Sequence, residues 1–437
     1  MKLKTFIQAK TSKWPVPVIV LLMAVSAFGA YTSMYAYRKA FSAATFDGQR
    51  FYNVDYKVWL VIFQVIGYTC AKFYGIKFIS GLDPRKRGRA ILTLIAISWI
   101  SLLFFAVIPA PWNILLFLAN GFPLGMIWGL VFGYLEGRRA TEFMAAVMSV
   151  SLVFASGLIK TVGREAISSF GVSELWMPFM VGLVFVVPML VFVGILECLP
   201  PPSMEDIRLR TERKPMNAAD RKNFVQQFLP GIAFTLVIYV MLTITRDIRD
   251  NFEVEIWNEL GIKGTGIYTR IDSVIAIIVL VVLSLLIFVK NNFRAFTLIH
   301  ILIICGCLLA GASTFMFSQG SISGTVWMSL SGLGLYLAYI PYNAIFFERM
   351  IATFRGKGNV GFIMYIADAA GYLGSISILM FKEFGIKSPI SWMHFFKQGL
   401  LGVSSIGALA AIFSFLYFLQ KRQQQKKVEN NFQISPV

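Results

Sequence analysis

The chain alternates between long apolar runs and short polar breaks. The runs fall near residues 16–44, 57–79, 90–108, 112–135, 143–169 and 177–197, and again near 228–248, 267–289, 295–316, 325–347, 359–381 and 397–419. About 20 apolar residues in a helix cross the ~30 Å hydrocarbon core of a bilayer. Each run has that length, so the pattern predicts an all-α integral membrane protein with twelve transmembrane helices in two six-helix bundles. The first run follows Lys2, Lys4, Lys10 and Lys13 and continues well past the length of a signal-peptide core, so it is expected to be retained as span one.

The breaks orient the chain. Joining alternate ends of the runs collects Arg85, Lys86, Arg87, Arg89, Arg138, Arg139, Lys290, Arg294, Arg349, Arg355 and Lys357 with the C-terminal basic residues on one side. The opposite short loops at 109–112, 171–176 and 319–324 contain no Lys or Arg. Cationic loops stay cytoplasmic, so both termini are expected in the cytoplasm, with the protein in a bacterial inner (plasma) membrane. The expected organisation is a cytoplasmic N-terminus (1–15), an N-terminal bundle (16–198), a cytoplasmic linker (199–227), a C-terminal bundle (228–420) and a polar, disordered tail (421–437).

Composition changes this picture little. Of 437 residues, 57% are hydrophobic, the mean hydropathy is +0.70 and the net charge is +18. In a soluble protein such a charge would suggest nucleic acid as a partner. Among spans of this length it is the charge of membrane-surface loops, so the expected partner is the lipid bilayer and no nucleic acid. Cys70, Cys198, Cys305 and Cys307 lie in or beside apolar runs and read as small packing residues. Gly356-Lys357-Gly358 lacks the spacing of a phosphate-binding loop, and His300 and His394 form no zinc motif. No cofactor, metal site or catalytic residue is expected, and no nucleophile–base constellation points to an enzyme.

Ionisable residues inside the runs are the informative exceptions, because a charge at the bilayer centre costs about 2.5–3.5 kcal/mol on insertion scales. They include Arg38, Lys39, Lys72, Lys160, Arg164, Arg246, Asp272 and Asp368, with Arg249 at the end of run seven. The two halves repeat one another. Arg38 ends span one and Arg246 ends span seven; Glu136 and Arg138 end span four, and Glu348 and Arg349 end span ten. Parallel repeats of this kind put a transporter's substrate between the halves. Two arginines from opposite halves could hold an oxyanion, since the planar guanidinium matches carboxylate or phosphate. Lys39, Lys160, Tyr35, Tyr342 and Asn343 are further candidates for that site, and Pro341 should disturb span ten beside it.

Four passages resemble the major facilitator superfamily, most closely its organophosphate:phosphate antiporters. They are Tyr35-x-x-Arg38-Lys39-x-Phe41, Gly67-Tyr68 through Gly81-Leu82-Asp83-Pro84-Arg85, Gly125-Met126-x-Trp128, and Gly371-Tyr372-Leu373-Gly374. The resemblance implies that Arg38 binds phosphate and that Asp83 and Arg85 belong to a gating loop. Pro84 stands where the loop pattern has arginine, so a gating pair there would run through Arg85 or Arg87. In span seven, Arg246-Asp247-Ile248-Arg249-Asp250 replaces the family's uncompensated arginine; either Arg246 or Arg249 could be its counterpart, with Asp247 and Asp250 as neutralising acids. The superfamily also juxtaposes spans two and eleven, and spans five and eight. That implies a Lys72–Asp368 pair and an Arg164–Asp272 latch.

The expected function is secondary transport of a small organic anion by alternating access, in its sharpest form a phosphorylated metabolite exchanged for phosphate, by a monomer. Proton-coupled transport of another solute and a transporter-like sensor or scaffold are the alternatives. The Lys72–Asp368 expectation is checked by a double-mutant cycle on transport rate with Lys72→Gln and Asp368→Asn. The pair requires a non-additive result; additive losses remove it.

Overall fold

Helices occupy every apolar run in the computed structural model, which describes residues 2–138, 140–203, 206, 218–354, 360–385 and 390–433. Among the described residues, nine helices are long and apolar enough to cross a bilayer. A tenth span is the pair Met177–Val184 and Val186–Cys198, bent by 42°. The break has a local cause: Pro188 has no N–H for the carbonyl of Val184, and its ring crowds that carbonyl. Run ten holds Gly324–Pro341, a π turn at Tyr342–Phe346 and Phe347–Phe354; run eleven holds Val360–Met380. The π turn begins directly after Pro341, where the sequence leads one to expect a disturbance.

Three segments depart from the sequence pattern. Span seven is one helix, Ala218–Glu259, of 42 residues, about 63 Å at 1.5 Å per residue. It begins inside the expected linker, of which residues 204–205 and 207–217 lie outside the described residues, and it continues beyond residue 248. The tail expected to be disordered is helical to Gln433, as part of Ala408–Gln433. Its Gln, Lys and Glu residues are good helix formers that propagate an existing helix. The N-terminus forms a helix, Lys2–Thr11. Its Gln8 amide donates to the carbonyls of Glu197 (3.0 Å) and Leu199 (3.3 Å), and Thr11 donates to that of Cys198 (3.3 Å). These are carbonyls at the end of span six that the helix itself leaves without partners.

The all-α expectation also misses a small hairpin after span one. Arg50–Phe51 pairs antiparallel with Val54–Asp55. Its two turn residues, Tyr52 and Asn53, have φ of 54° and 62°, as a tight two-residue hairpin turn requires. An exposed Arg50–Asp55 pair at 3.1 Å closes it.

The chain forms two compact units. One comprises Met1–Thr211, Asp247–Ser284 and Ser375–Phe395; the other comprises Glu212–Arg246, Leu285–Gly374 and Phe396–Val437. The first therefore draws on both halves of the sequence. In the first unit, span two (Tyr56–Gly81) and span four (Leu115–Leu135) pack backbone to backbone. A Cβ added at Gly67 would lie 2.3 Å from the Leu118 carbonyl oxygen, and one at Gly121 would lie 2.3 Å from that of Gln64. Small residues substitute here for the hydrophobic driving force that lipid cannot supply. A polar knot sits in the same seam: Gln64 donates to Asn120 (2.8 Å) and to the Arg38 carbonyl (2.7 Å), and Asn120 donates to the carbonyls of Tyr37 (3.0 Å) and Ser98 (3.1 Å). That knot fixes the end of span one, and with it Arg38.

In the second unit, Gly306 and Gly334 bring spans nine (Asn292–Ser318) and ten equally close, each virtual Cβ lying 2.5 Å from the other's carbonyl oxygen. Gly371 and Gly374 of span eleven pack against Thr243 and Val240 of span seven. His300 is buried among phenylalanines, bridging the Phe296 carbonyl (2.9 Å) and Ser414 (3.3 Å).

Gly121→Leu should therefore destabilise the protein by about 1–3 kcal/mol, the usual cost of overpacking. Gly194→Leu, with nothing within 4 Å of its virtual Cβ, should be neutral. Thermal unfolding in detergent checks this; equal midpoints for the two variants would contradict the close-packed seam.

Candidate functional site

The C-terminal part of span seven reads Arg246-Asp247-Ile248-Arg249-Asp250-Asn251-Phe252-Glu253-Val254-Glu255-Ile256-Trp257. At helical spacing, Arg249, Glu253 and Trp257 stack on one stripe, with Arg246 and Asp250 on its flank. So polar a segment would not stay buried alone. It stays helical and buried because charged partners from other spans of the same unit meet it.

Those partners form a buried cluster. Lys39, at the end of span one (Val16–Lys39), places Nζ 2.9 Å from Asp250 Oδ2 and donates to Asn251 Oδ1 at 2.7 Å. Lys160, in span five (Thr141–Ser168), lies 2.9 Å from Glu253 Oε2 and 3.5 Å from Asp250 Oδ1, and donates to Ser156 at 2.5 Å. Ser156 in turn donates to Asp250. Arg249 meets Asp272, from span eight (Ile267–Ile287), at 2.7 Å and Glu253 at 3.3 Å; Trp257 also donates to Glu253. Lys160, Arg249, Glu253 and Asp272 are 0% exposed. Among the described residues, three cations face three carboxylates in it, so their formal charges balance. Desolvating six charges is costly, and their mutual attraction offsets that cost only while every partner is present.

Spans five and eight must approach closely to complete it. A Cβ at Gly157 would lie 2.5 Å from the Tyr268 carbonyl oxygen and 2.8 Å from the Asp272 Cβ. Thr161 donates to the Thr265 carbonyl (3.0 Å), and Thr269 donates to Thr161 (2.7 Å). A second buried pair lies beside the cluster: Lys57, at the start of span two, sits 2.6 Å from Glu255 and donates to the Ser42 carbonyl. Phe252 stacks on Trp392, centroids 3.4 Å apart.

The other sequence candidates fall in three places. Arg38 is buried, its guanidinium 4.1 Å over the Tyr68 ring and 5.7 Å from that of Tyr35. In the second unit, Arg246 donates to the Tyr339 hydroxyl and lies 4.4 Å over that ring. Tyr239 donates to Asp368 at 2.6 Å. Tyr342 and Asn343 open the π turn of span ten, with Tyr342 packed against Tyr239 at 5.7 Å between centroids. Lys72 lies 5.3 Å over the Tyr68 ring.

The remaining candidates lie at helix ends. Asp83 accepts from the Arg85 backbone N–H at 2.9 Å, capping the turn into span three, and the Arg85 side chain is exposed. Arg138 donates to the Pro200 carbonyl, and Arg349 donates to Asn292 at 2.7 Å; Glu136 and Glu348 are half-buried beside them in sequence.

Two expectations change form. Asp272 pairs with Arg249 instead of Arg164, which is half-exposed further along span five. Asp250, suspected of neutralising a span-seven arginine, engages Lys39 and Lys160, while Asp247 accepts from Ser375 at 2.7 Å. The sequence reading missed Glu253, Glu255, Lys57, Tyr68 and Tyr239. The first three stand at or beyond the edges of apolar runs, where hydropathy reads them as loop. The i, i+4 order of Arg249 and Glu253 was the available signal.

By sequence, no curated protein matches the chain. A family model described as "Family of unknown function (DUF5690)" matches residues 40–421. The chain belongs to this family. The xylose transporter XylE from E. coli, in an inward-open conformation, is similar in structure with a TM-score of 0.61 at 14% identity, over 91% of this chain and 95% of that one. A variant of the nucleoside transporter NupG gives 0.60 at 15% identity, over 91% and 100%. A bacterial homologue of the human lysosomal transporter Spinster gives 0.57 at 10%, over 92% and 96%. The fold is that of the major facilitator superfamily. None of these three is an organophosphate:phosphate antiporter, so the similarity reaches the fold and not that branch.

Breaking the cluster from one side leaves buried charge without its partner. Lys160→Met should lower stability by about 3–5 kcal/mol, whereas Arg50→Ala, which removes the exposed hairpin pair, should cost under about 1 kcal/mol. Denaturant titration in micelles compares them, and similar losses would refute the burial argument.

Proposed function

We propose that the protein is a secondary transporter that moves a small organic anion across a lipid bilayer by alternating access. One observation carries the reading beyond the fold: the buried cluster joins the ends of spans one and five to those of spans seven and eight through ion pairs. A carrier that alternates must separate its sequence halves at one end and then the other. Short ion pairs between desolvated partners suit that task. They hold while complete, and water can solvate them once the helices part. Lys39, Lys160, Arg249 and Asp272 are therefore assigned to gating.

The neutrality of the cluster moves substrate recognition elsewhere. Arg38 in the first unit and Arg246 in the second each lie over a tyrosine ring and present the donor geometry that carboxylate or phosphate requires. Tyr35 supports Arg38, and Tyr342 and Asn343 lie near the Arg246 group in span ten. Exchange of a phosphorylated metabolite for phosphate is the specific form of this proposal. The basic loops favour an inner-membrane protein with both termini cytoplasmic.

Uptake and exchange of phosphorylated and carboxylated metabolites by the purified protein in proteoliposomes test the reading. We expect saturable transport of at least one anion, reduced tenfold or more by Arg38→Ala, with the variant still folded. Neutral solutes carried in preference to every anion would sink the proposal.

A further inference from the structure

The helix that precedes span one, Lys2–Thr11, is pinned in two places. Gln8 and Thr11 donate to the last carbonyls of span six. Residues 12–15 join it to span one through a closed turn, in which the N–H groups of Ser12 and Trp14 donate to the carbonyls of Gln8 (2.9 Å) and Thr11 (3.0 Å). The helix is thus held at the level where span one begins and span six ends. Both spans expose apolar faces running away from that level: Val16, Val18 and Leu21 in one, Val187, Leu190 and Val191 in the other. Such faces meet hydrocarbon, so the helix lies where hydrocarbon gives way to headgroups. The headgroup layer is about 5–7 Å thick on each side of a bilayer, and a helix with its side chains is about 10–12 Å across. A helix resting on these span ends fills that layer.

Its free face has the matching chemistry. Phe6 stands about 140–160° round the helix from Gln8 and Thr11 and is 68% exposed; Trp14, beside the entry to span one, is 41% exposed. Lys10, one turn beyond Phe6, and Lys13 are exposed and make no ion pair among the described residues. Lys2 and Lys4 add two more charges, and the chain has no carboxylate before Asp47. Aromatic side chains at the boundary and lysines without local counter-charge are what a helix in an anionic headgroup layer requires.

We propose that Lys2–Thr11 is an interfacial helix that binds anionic phospholipid through Lys10 and Lys13, with Phe6 and Trp14 seated among the lipids. What it holds in place is the end of span six. Glu197, whose carbonyl accepts from Gln8, also uses its side chain, accepting from the Tyr134 hydroxyl of span four and from the Gly88 N–H (3.1 Å) at the start of the helix Arg87–Val107. Anionic lipid thereby steadies three span ends of the first unit. The site is independent of which solute the protein moves.

The test titrates phosphatidylglycerol or phosphatidylcholine onto the full-length protein in detergent and counts bound lipid by native mass spectrometry. Phosphatidylglycerol should bind preferentially, and Lys10→Gln/Lys13→Gln should lower its affinity about fivefold or more. Lys263→Gln, which removes an exposed lysine at the opposite ends of the spans, should leave that affinity unchanged. Position is read in nanodiscs from the difference in tryptophan emission between wild type and Trp14→Phe. Lipid brominated near the headgroup end of its acyl chains should quench that difference, and aqueous iodide should not. An unchanged phosphatidylglycerol affinity in the double-lysine variant overturns the proposal, as does quenching by iodide alone. Displacement of phosphatidylglycerol by inorganic phosphate at equal ionic strength would make this a free-anion site instead. Dimers that the same double variant dissociates would mean that a second copy, and not lipid, covers the helix.

Discussion

The first unit depends on six buried charges being kept together. Lys39, Lys160 and Arg249 face Asp250, Glu253 and Asp272 where four of the six side chains meet no solvent. Desolvated charge is tolerable only in complete sets, and this explains several features at once. It keeps span seven helical to Glu259 through a segment too polar for a lipid-facing helix. It needs a residue without a Cβ at Gly157, because span eight must approach closely enough for Asp272 to reach Arg249. It also explains why residues from the second half of the sequence belong to the first compact unit.

Around this cluster the packing uses the devices available to a protein in lipid. Where aliphatic side chains meet lipid they gain little from burial against one another, and cohesion comes from close backbone approach and internal hydrogen bonds. Gly67 and Gly121 in one seam, and Gly306 and Gly334 in another, bring helices to backbone contact. The Gln64–Asn120 knot satisfies carbonyls next to Arg38 and fixes that residue's height. The same economy appears at the N-terminal helix, where Gln8 and Thr11 cap the end of span six. A cluster of paired charges lies in the first unit, and an arginine lies over a tyrosine ring in each.

Much of the architecture was legible in the sequence because bilayer thickness imposes a length on each apolar run. Every run holds helix, most of them close to the expected bounds. The errors lie where hydropathy stops being informative. Span seven continues past its apolar run, and the polar tail after residue 420 is helical. Lys57 and Glu253 looked like loop charges because a hydropathy window averages them with their neighbours.

Sequence by itself determined the membrane class, the helices and the list of residues costly enough to need a reason. It could do so because those properties follow from local composition and from a fixed hydrocarbon thickness. Only the tertiary structure decided which charge meets which: Asp250 takes Lys39 and Lys160, Asp272 takes Arg249 in place of Arg164, and Tyr239 takes Asp368. Pairing depends on helix rotation and on approach distances set by residues such as Gly157, far apart in sequence, and no local pattern encodes them.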